Sequence, residues 1–233
     1  MHTFCTLTSK YHVSFTLSLI SKISQPICIL TLDEFSYFFF KKKENNKLKV
    51  FSIKDLKLKN INKLKKNRNR LEYIFTLKPI FIFFLLKNFI KKNNFVIYLD
   101  SDIFFFKNSI FLTKKINKHS IYLTKHNFSE ASKSNMIYGK FNAGFVSFKC
   151  DYFGKKYSEW WKNKCIKSCK FDVTKRNKIF TDQGYLDFFD KLNEKKVKIL
   201  DSSIYNLAPW NIDRYKISKK NKNFFSNNKK IVF

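Results

Sequence analysis

Glycine and proline are nearly missing from this chain, with four glycines and three prolines in 233 residues. Arginine is almost as rare. It occurs only at positions 68, 70, 176 and 214, so nearly all of the 47 basic residues are lysine. Lys, Asn, Ile and Phe share A/T-rich codons, and Gly, Pro and Arg mostly do not. A base bias in the gene therefore accounts for this composition without selection for a polyanion. The net charge of +30 would otherwise point to nucleic acid or an anionic membrane. Base reading leans on arginine, so a Lys-rich nucleic-acid-binding module is the weaker interpretation. Peripheral contact with anionic lipid stays an expectation from the charge.

No Cys-x-x-Cys pair is present, which argues against a structural zinc site. The five cysteines, at 5, 28, 150, 165 and 169, are odd in number and suit a reducing cytoplasm. Cys165 and Cys169 stand four apart, one turn of one predicted helix, where they pack as small apolar residues. No apolar run reaches the roughly 20 residues a bilayer demands. Ile80 to Leu86 ends at Lys87, and residues 13–32 are interrupted by Lys22 and Pro26 with no basic segment before them. The expected location is cytoplasmic, at most peripheral at the inner membrane face.

Hydrophobic residues make up 44% of the chain and charged residues 27%, a globular composition with enough length for a substantial core. Strand patterns fall at His2–Leu7, Ile27–Leu32, Lys47–Ile53, Phe95–Leu99, Ser120–Thr124, Gly144–Lys149 and Val197–Leu200. Helical patterns fall between them, at Tyr11–Ile23, Phe35–Phe40, Leu71–Asn88, Phe153–Cys169 and Asp182–Leu192. Pro79 marks a break or a first turn in the third of these, and Thr181-Asp182 an N-cap for the last. Alternating strands and helices predict an α/β fold with a parallel or mixed sheet. The Lys/Asn-rich stretches 54–70 and 216–230 read as solvated surface segments, and no internal repeat is visible.

The most telling segment is Phe95-Val96-Ile97-Tyr98-Leu99-Asp100-Ser101-Asp102. So apolar a run predicts a strand buried on both faces of a parallel sheet. Side chains alternate along a strand, so a straight continuation would turn Asp100 and Asp102 to one side. Acids at the carboxyl end of such a strand lie where open α/β sheets bind ligands. Paired carboxylates there suit a hard divalent cation that also holds phosphate oxygens. A strand end followed by an ordinary polar turn would use the same residues.

Further clusters follow in order along the chain. They are Cys5-Thr6-Leu7-Thr8, the segment from Arg70 to Pro79, Phe141-Asn142-Ala143-Gly144-Phe145, Thr181-Asp182-Gln183-Gly184, and Asn206-Leu207-Ala208-Pro209-Trp210-Asn211. With Asp100-Ser101-Asp102 and the Trp160-Trp161 pair, this ordered set resembles the nucleotide-diphospho-sugar transferases of the GT-A fold. The nearest likeness is to bacterial glycosyltransferases akin to family 8. The likeness runs from Phe4 to about Trp210. It implies a single GT-A (Rossmann-like) domain over 1–233 whose central sheet is mixed, mostly parallel and flanked by helices, with a truncated C-terminus as one option. It implies transfer of a sugar, of hexosyl type, from a nucleotide-sugar donor (UDP-sugar favoured) to a glycan or lipid-linked acceptor in cell-surface polysaccharide synthesis.

The resemblance also assigns residues. Cys5, Thr6, Tyr11, Asp100 and Ser101 would hold the nucleotide, and Asp100 with Asp102 would hold Mn²⁺ or Mg²⁺ against the diphosphate. Asn142 and Gly144 would line the donor sugar, and Asp182 with Gln183 would flank the anomeric carbon. Trp210 and Asn211 would border the acceptor. Five of them have a plainer role open to them: strand packing for Cys5 and Thr6, a strand-edge turn for Gly144, an N-cap for Asp182, core packing for Trp210. Thr76 and Lys78 stand where relatives place a donor-contacting Arg, which Lys does not replace like for like. Relatives carry a C-terminal His as a further metal ligand, whereas this sequence stops at Ile231-Val232-Phe233, and His119 and His126 lie too early to match. A catalytically weak relative that only binds nucleotide-sugar is therefore a second reading.

Overall fold

Seven of the apolar runs become strands of one sheet in the computed structural model, which describes residues 2–59, 61–171, 179–192 and 195–233. The strands are β1 (Thr3–Thr8), β2 (Ile27–Thr31), β3 (Leu48–Ser52), β4 (Phe95–Leu99), β5 (Ile121–Lys125), β6 (Phe141–Lys149) and β7 (Val197–Leu200). Their order across the sheet is β3-β2-β1-β4-β6-β5-β7. Pairing is parallel from β3 through β4 and between β5 and β7, and antiparallel on both sides of β6. The sheet is thus mixed and mostly parallel, as expected.

The helices are α1 (Val13–Ser21), α2 (Glu34–Lys41), α3 (Ile61–Lys66), α4 (Arg70–Asn88), α5 (Ile110–Lys115) and α6 (Tyr152–Lys167). Strand residues alternate between two cores, as the period of two requires. On β4, Val96 and Tyr98 join Leu77 and Phe81 of α4 and Trp161 of α6. Phe95, Ile97 and Leu99 join Leu19 of α1, Phe40 of α2 and Leu112 of α5 on the opposite face. Phe81 and Trp161 are fully buried, and truncating either to Ala would cost about 3–5 kcal/mol.

Three local expectations are corrected, and one surface segment gains regular structure. Pro79 neither starts nor breaks a helix but sits inside α4. The continuous buried stretch Thr76–Ile82 outweighs the roughly 3 kcal/mol that an internal proline costs. α6 ends at Lys167, so Cys169 lies beyond the helix that carries Cys165. Both thiols are buried and free all the same. Asp182 does not cap a helix: it precedes a 3-10 run at Gln183–Lys191 and makes no side-chain cap bond. The Lys/Asn-rich tail is ordered as an antiparallel sheet of β8 (Ile217–Lys220), β9 (Asn223–Ser226) and β10 (Lys229–Lys230). Left-handed Asn221 (φ 44°), Asn227 (φ 46°) and Asn228 (φ 63°) make its two turns, a conformation asparagine tolerates better than most residues.

Among the described residues no helix is long and apolar enough to cross a membrane.

Candidate active site

β1 lies between β2 and β4. The chain winds outward from β1 through β2 to β3, then returns to the other side of β1 as β4. That reversal opens a crevice at the carboxyl ends of β1 and β4, where doubly wound sheets bind ligands. A cavity of about 700 Å³ opens there, lined by Thr8, Ser9, Tyr11, Arg70, Ser101 and both aspartates, Asp100 and Asp102. A second cavity of about 410 Å³ adjoins it, lined by the same two aspartates with Asn142, Gly144, Asn206 and Trp210. The two carboxylates stand at the junction.

β4 stops at Leu99, and residues 100–102 leave the sheet in a turn closed by Ile103 N–H donating to Asp100 O at 3.2 Å. Strand alternation therefore does not set the direction of Asp102, as a straight strand would. Asp100 keeps its place because its N–H donates to Gly144 O at 2.8 Å. Asp102 is exposed, and partial burial together with the Asp100 charge holds its carboxyl above the ordinary range. Among the described residues no group of three His, Cys, Asp or Glu side chains could hold a metal ion. A divalent cation bound through one or two carboxylates plus substrate phosphates needs no third protein ligand, and Asp100 with Asp102 fits that donor set.

Beneath Asp100 lies a buried charge cluster. The Lys78 ammonium from α4 is 3.0 Å from Asp182 Oδ2 and 3.4 Å from Asp100 Oδ1. It also donates to Ala143 O at 3.2 Å. Tyr98 donates its hydroxyl to Asp100 Oδ1 at 2.7 Å, which leaves Oδ2 for the cavities. Burial pulls the Lys78 ammonium down, but the Asp100 and Asp182 charges outweigh it and hold it above its ordinary value. Burial pushes the Asp182 carboxyl up against the pull of Lys78. Asp182 is aimed inward by a strained backbone. Thr181 has φ 44°, a left-handed conformation that costs a β-branched residue of order 1–3 kcal/mol. Trp161 Nε1–H fixes the next peptide by donating to Asp182 O at 2.8 Å.

A second chain of bonds orders the wall of the second cavity. Gly144 N–H donates to Asn142 Oδ1 at 2.9 Å, and Asn142 Nδ2 contacts His126 Nε2 at 3.2 Å. His126 Nδ1 lies 2.9 Å from Gly139 O. A carbonyl only accepts, so His126 is the neutral Nδ1–H tautomer, and Nε2 accepts from the Asn142 amide. Burial lowers the His126 pKa to about 4, against the raising pull of the backbone bonds. Gly144 permits the close approach: a Cβ there would meet Asn142 Oδ1 at 2.6 Å and Asp100 Oδ2 at 3.1 Å. Trp210 packs edge-on to His126. Its buried Nε1, like Asn206 Nδ2, has no hydrogen-bond partner, so two donors on the loop of the second cavity are unused.

The remaining expected residues fall in different places. Tyr11 is exposed at the mouth of the first cavity, with the Arg70 guanidinium 5.0 Å from its ring centre. Ser101 lines that cavity. Cys5 and Thr6 are fully buried in the strand. The crevice is reached instead by Thr8 and Ser9, because β1 runs on past Thr6 before turning. Thr76 is buried in α4 with its hydroxyl donating to Glu72 O at 2.7 Å, away from both cavities. Lys78 underlies the carboxylates and lines neither cavity. Asn211 is fully buried, and its amide bonds His126 O, Asn206 O and Ala208 N–H, so it builds the loop behind Trp210. Gln183 donates Nε2–H to Tyr138 O at 2.9 Å. Arg70, Tyr98, His126 and Asn206 were given no site role from sequence, although Arg70 and Asn206 open two of the quoted motifs and Tyr98 lies in the strand before Asp100. Arginine's rarity in this chain was a further signal for Arg70.

No protein-family model matches the chain. It is 30% identical over 229 residues to the uncharacterized protein YfnF of Bacillus subtilis (strain 168), covering 93% of the chain and 74% of the relative. To the uncharacterized protein YfnD of the same organism it is 25% identical over 236 residues, covering 99% and 75%. Mouse xyloside xylosyltransferase 1, in its apo form, superposes with TM-score 0.53 at 12% identity over 90% of this chain and 88% of that one. That likeness carries the fold, which is GT-A-like.

Proposed function

The chain belongs to the family of Bacillus subtilis YfnF, and from its fold and site we propose that it transfers a sugar from a nucleotide-diphosphate-sugar to an acceptor hydroxyl. The observation that carries this is the placing of Asp100 and Asp102 at the junction of two cavities. One cavity offers Tyr11 for a base and Thr8, Ser9 and Arg70 for ribose and phosphate. The other offers Asn142, the Gly144 backbone and Trp210 for sugar and acceptor. The structural neighbour, named for xylosyl transfer, supports the same class.

In this reading the bond from anomeric carbon to diphosphate oxygen breaks, the diphosphate keeps the electron pair, and the acceptor oxygen forms the new bond as it loses its proton. Asp100 and Asp102 would hold Mg²⁺ or Mn²⁺, which would supply Lewis-acid stabilisation of the leaving diphosphate. Arg70 adds positive charge at the phosphates. Asp182, buried beneath the site, holds Lys78 and through it positions Asp100, and Gln183 is the residue whose amide would face the electron-poor anomeric carbon. A UDP-hexose donor, a family 8-like grouping, a glycan or lipid-linked acceptor and action on the cytoplasmic side for cell-surface polysaccharide complete the proposal.

Thermal-shift measurements against UDP-, GDP- and ADP-sugars with and without Mn²⁺ test it, since a ligand that binds only the folded state raises stability. Stabilisation by one nucleotide class that requires metal and disappears in Asp102→Ala is expected. No stabilisation by any of them would overturn the reading. A second reading, binding without efficient transfer, is favoured by one observation: Lys78 already neutralises Asp100 from below. Metal-dependent binding without turnover in a donor-hydrolysis assay would select it.

A further inference from the structure

Next to the second cavity the surface turns aromatic and cationic. Phe104 and Phe106, which line that cavity, continue outward to Ile110 and Phe111 of α5, and all four are exposed. Phe104 and Phe106 meet at 5.1 Å between ring centres, and Phe106 meets Phe224 of β9 at 5.2 Å. The C-terminal sheet therefore extends the same patch. Lysine ammonium groups lie over three of the rings: Lys22 over Phe104, Lys107 over Phe111 and Lys219 over Phe224. Burial and the nearby Lys230 charge push the Lys107 ammonium below its ordinary value. No Asp or Glu occurs in residues 103–129 or 214–233.

We propose that this patch around Phe106 docks the protein on an anionic lipid bilayer, with the mouth of the second cavity at the membrane surface. Aromatic side chains favour the bilayer interface and enter the acyl boundary, while lysines meet the headgroup phosphates. Two other occupants fit less well. A second copy would bring its own lysines against these. Single-stranded nucleic acid needs free aromatic faces for base stacking, and here the rings pack on one another and beneath lysines. The inference does not depend on the transfer reaction, because docking is read without any donor.

Sedimentation of the full chain with vesicles of phosphatidylcholine alone, and of phosphatidylcholine with phosphatidylglycerol, tests it. Binding to the anionic vesicles only, weakening as salt rises, is expected. Lys107→Glu should lower the partition coefficient at least about five-fold. Phe111→Ser, at an exposed position whose loss leaves the fold intact by circular dichroism, should lower it about ten-fold. Tyr152→Ser, an exposed aromatic on α6 against the opposite core, should leave it unchanged. Equal binding to neutral and anionic vesicles would overturn the proposal, as would full binding by both patch variants. It would equally be overturned by a dimer that Phe111→Ser dissociates, or by loss of oligonucleotide affinity with vesicle binding retained.

Discussion

The Lys78 ammonium lies 3.0 Å from the carboxylate of Asp182, and both side chains are almost wholly buried, at 4% and 2% exposure. A buried pair of this kind gains little over a well-packed apolar pair, but removing one partner strands the other. Lys78→Met should therefore cost about 3–5 kcal/mol at neutral pH, read from urea unfolding. The deficit should shrink as pH falls, because the Asp182 carboxyl is already held above its ordinary range by burial and takes up a proton once Lys78 is gone. Lys78→Met with Asp182→Asn should recover most of the stability and none of the donor binding. If the double variant is no more stable than the single one, the cost lies in packing and not in charge.

Asp102 and Gln183 separate binding from turnover. Asp102 is exposed and repelled by Asp100, so Asp102→Ala should leave stability within about 0.5 kcal/mol. It should abolish metal-dependent nucleotide-sugar binding. Gln183→Ala should keep donor affinity and lower kcat, as expected of a group acting mainly in the transition state. Calorimetric titration with donor and Mn²⁺, alongside steady-state rates, distinguishes the two. A change confined to KM in Gln183→Ala would remove it from the reacting centre.

Gly144 is held open by its neighbours. In Gly144→Ala the new methyl would press on Asn142 Oδ1 at 2.6 Å and Asp100 Oδ2 at 3.1 Å. Overpacking of this order costs about 1–3 kcal/mol, and the displaced carboxylate should weaken Mn²⁺-dependent donor binding at least ten-fold. Titration calorimetry checks the affinity, and retention of binding at full strength would show that Asp100 moves without consequence.

His126 makes the fold acid-sensitive. Its pKa is lowered from 6.5 to about 4 by burial, so the unfolded chain binds the extra proton first. Stability due to the neutral ring is complete above pH 6.5 and is lost as pH falls toward 4, amounting to about 3 kcal/mol in full. In the folded protein the ring takes its proton only near pH 4; Nε2 can then no longer accept from Asn142, so donor affinity should fall as pH drops through about 4. His126→Gln should flatten this part of the stability-against-pH curve. An unchanged curve would assign the acid sensitivity to carboxylates.

What the sequence by itself determined was whatever depends on local periodicity and on termini of elements. The apolar run Phe95–Leu99 reads as a doubly buried strand, and it is one, with its two acids at the carboxyl edge. Asn142 and Gly144 were marked only by the family resemblance of their segment, which left a strand-edge turn open for Gly144. Tertiary structure decided the rest, because it turns on contacts between distant positions. Thr8 and Ser9 replaced Cys5 and Thr6 at the crevice because the length of β1, set by pairing with β2, determines where the chain leaves the sheet. Lys78 reads as one more helix lysine until α4 packs beneath Asp100 and Asp182. The same packing keeps α4 whole through Pro79, and the β4–β6 pairing brings Gly144 O to the Asp100 amide. Periodicity says which face of an element is buried, but only the packed fold says which charge lies on the other side of it.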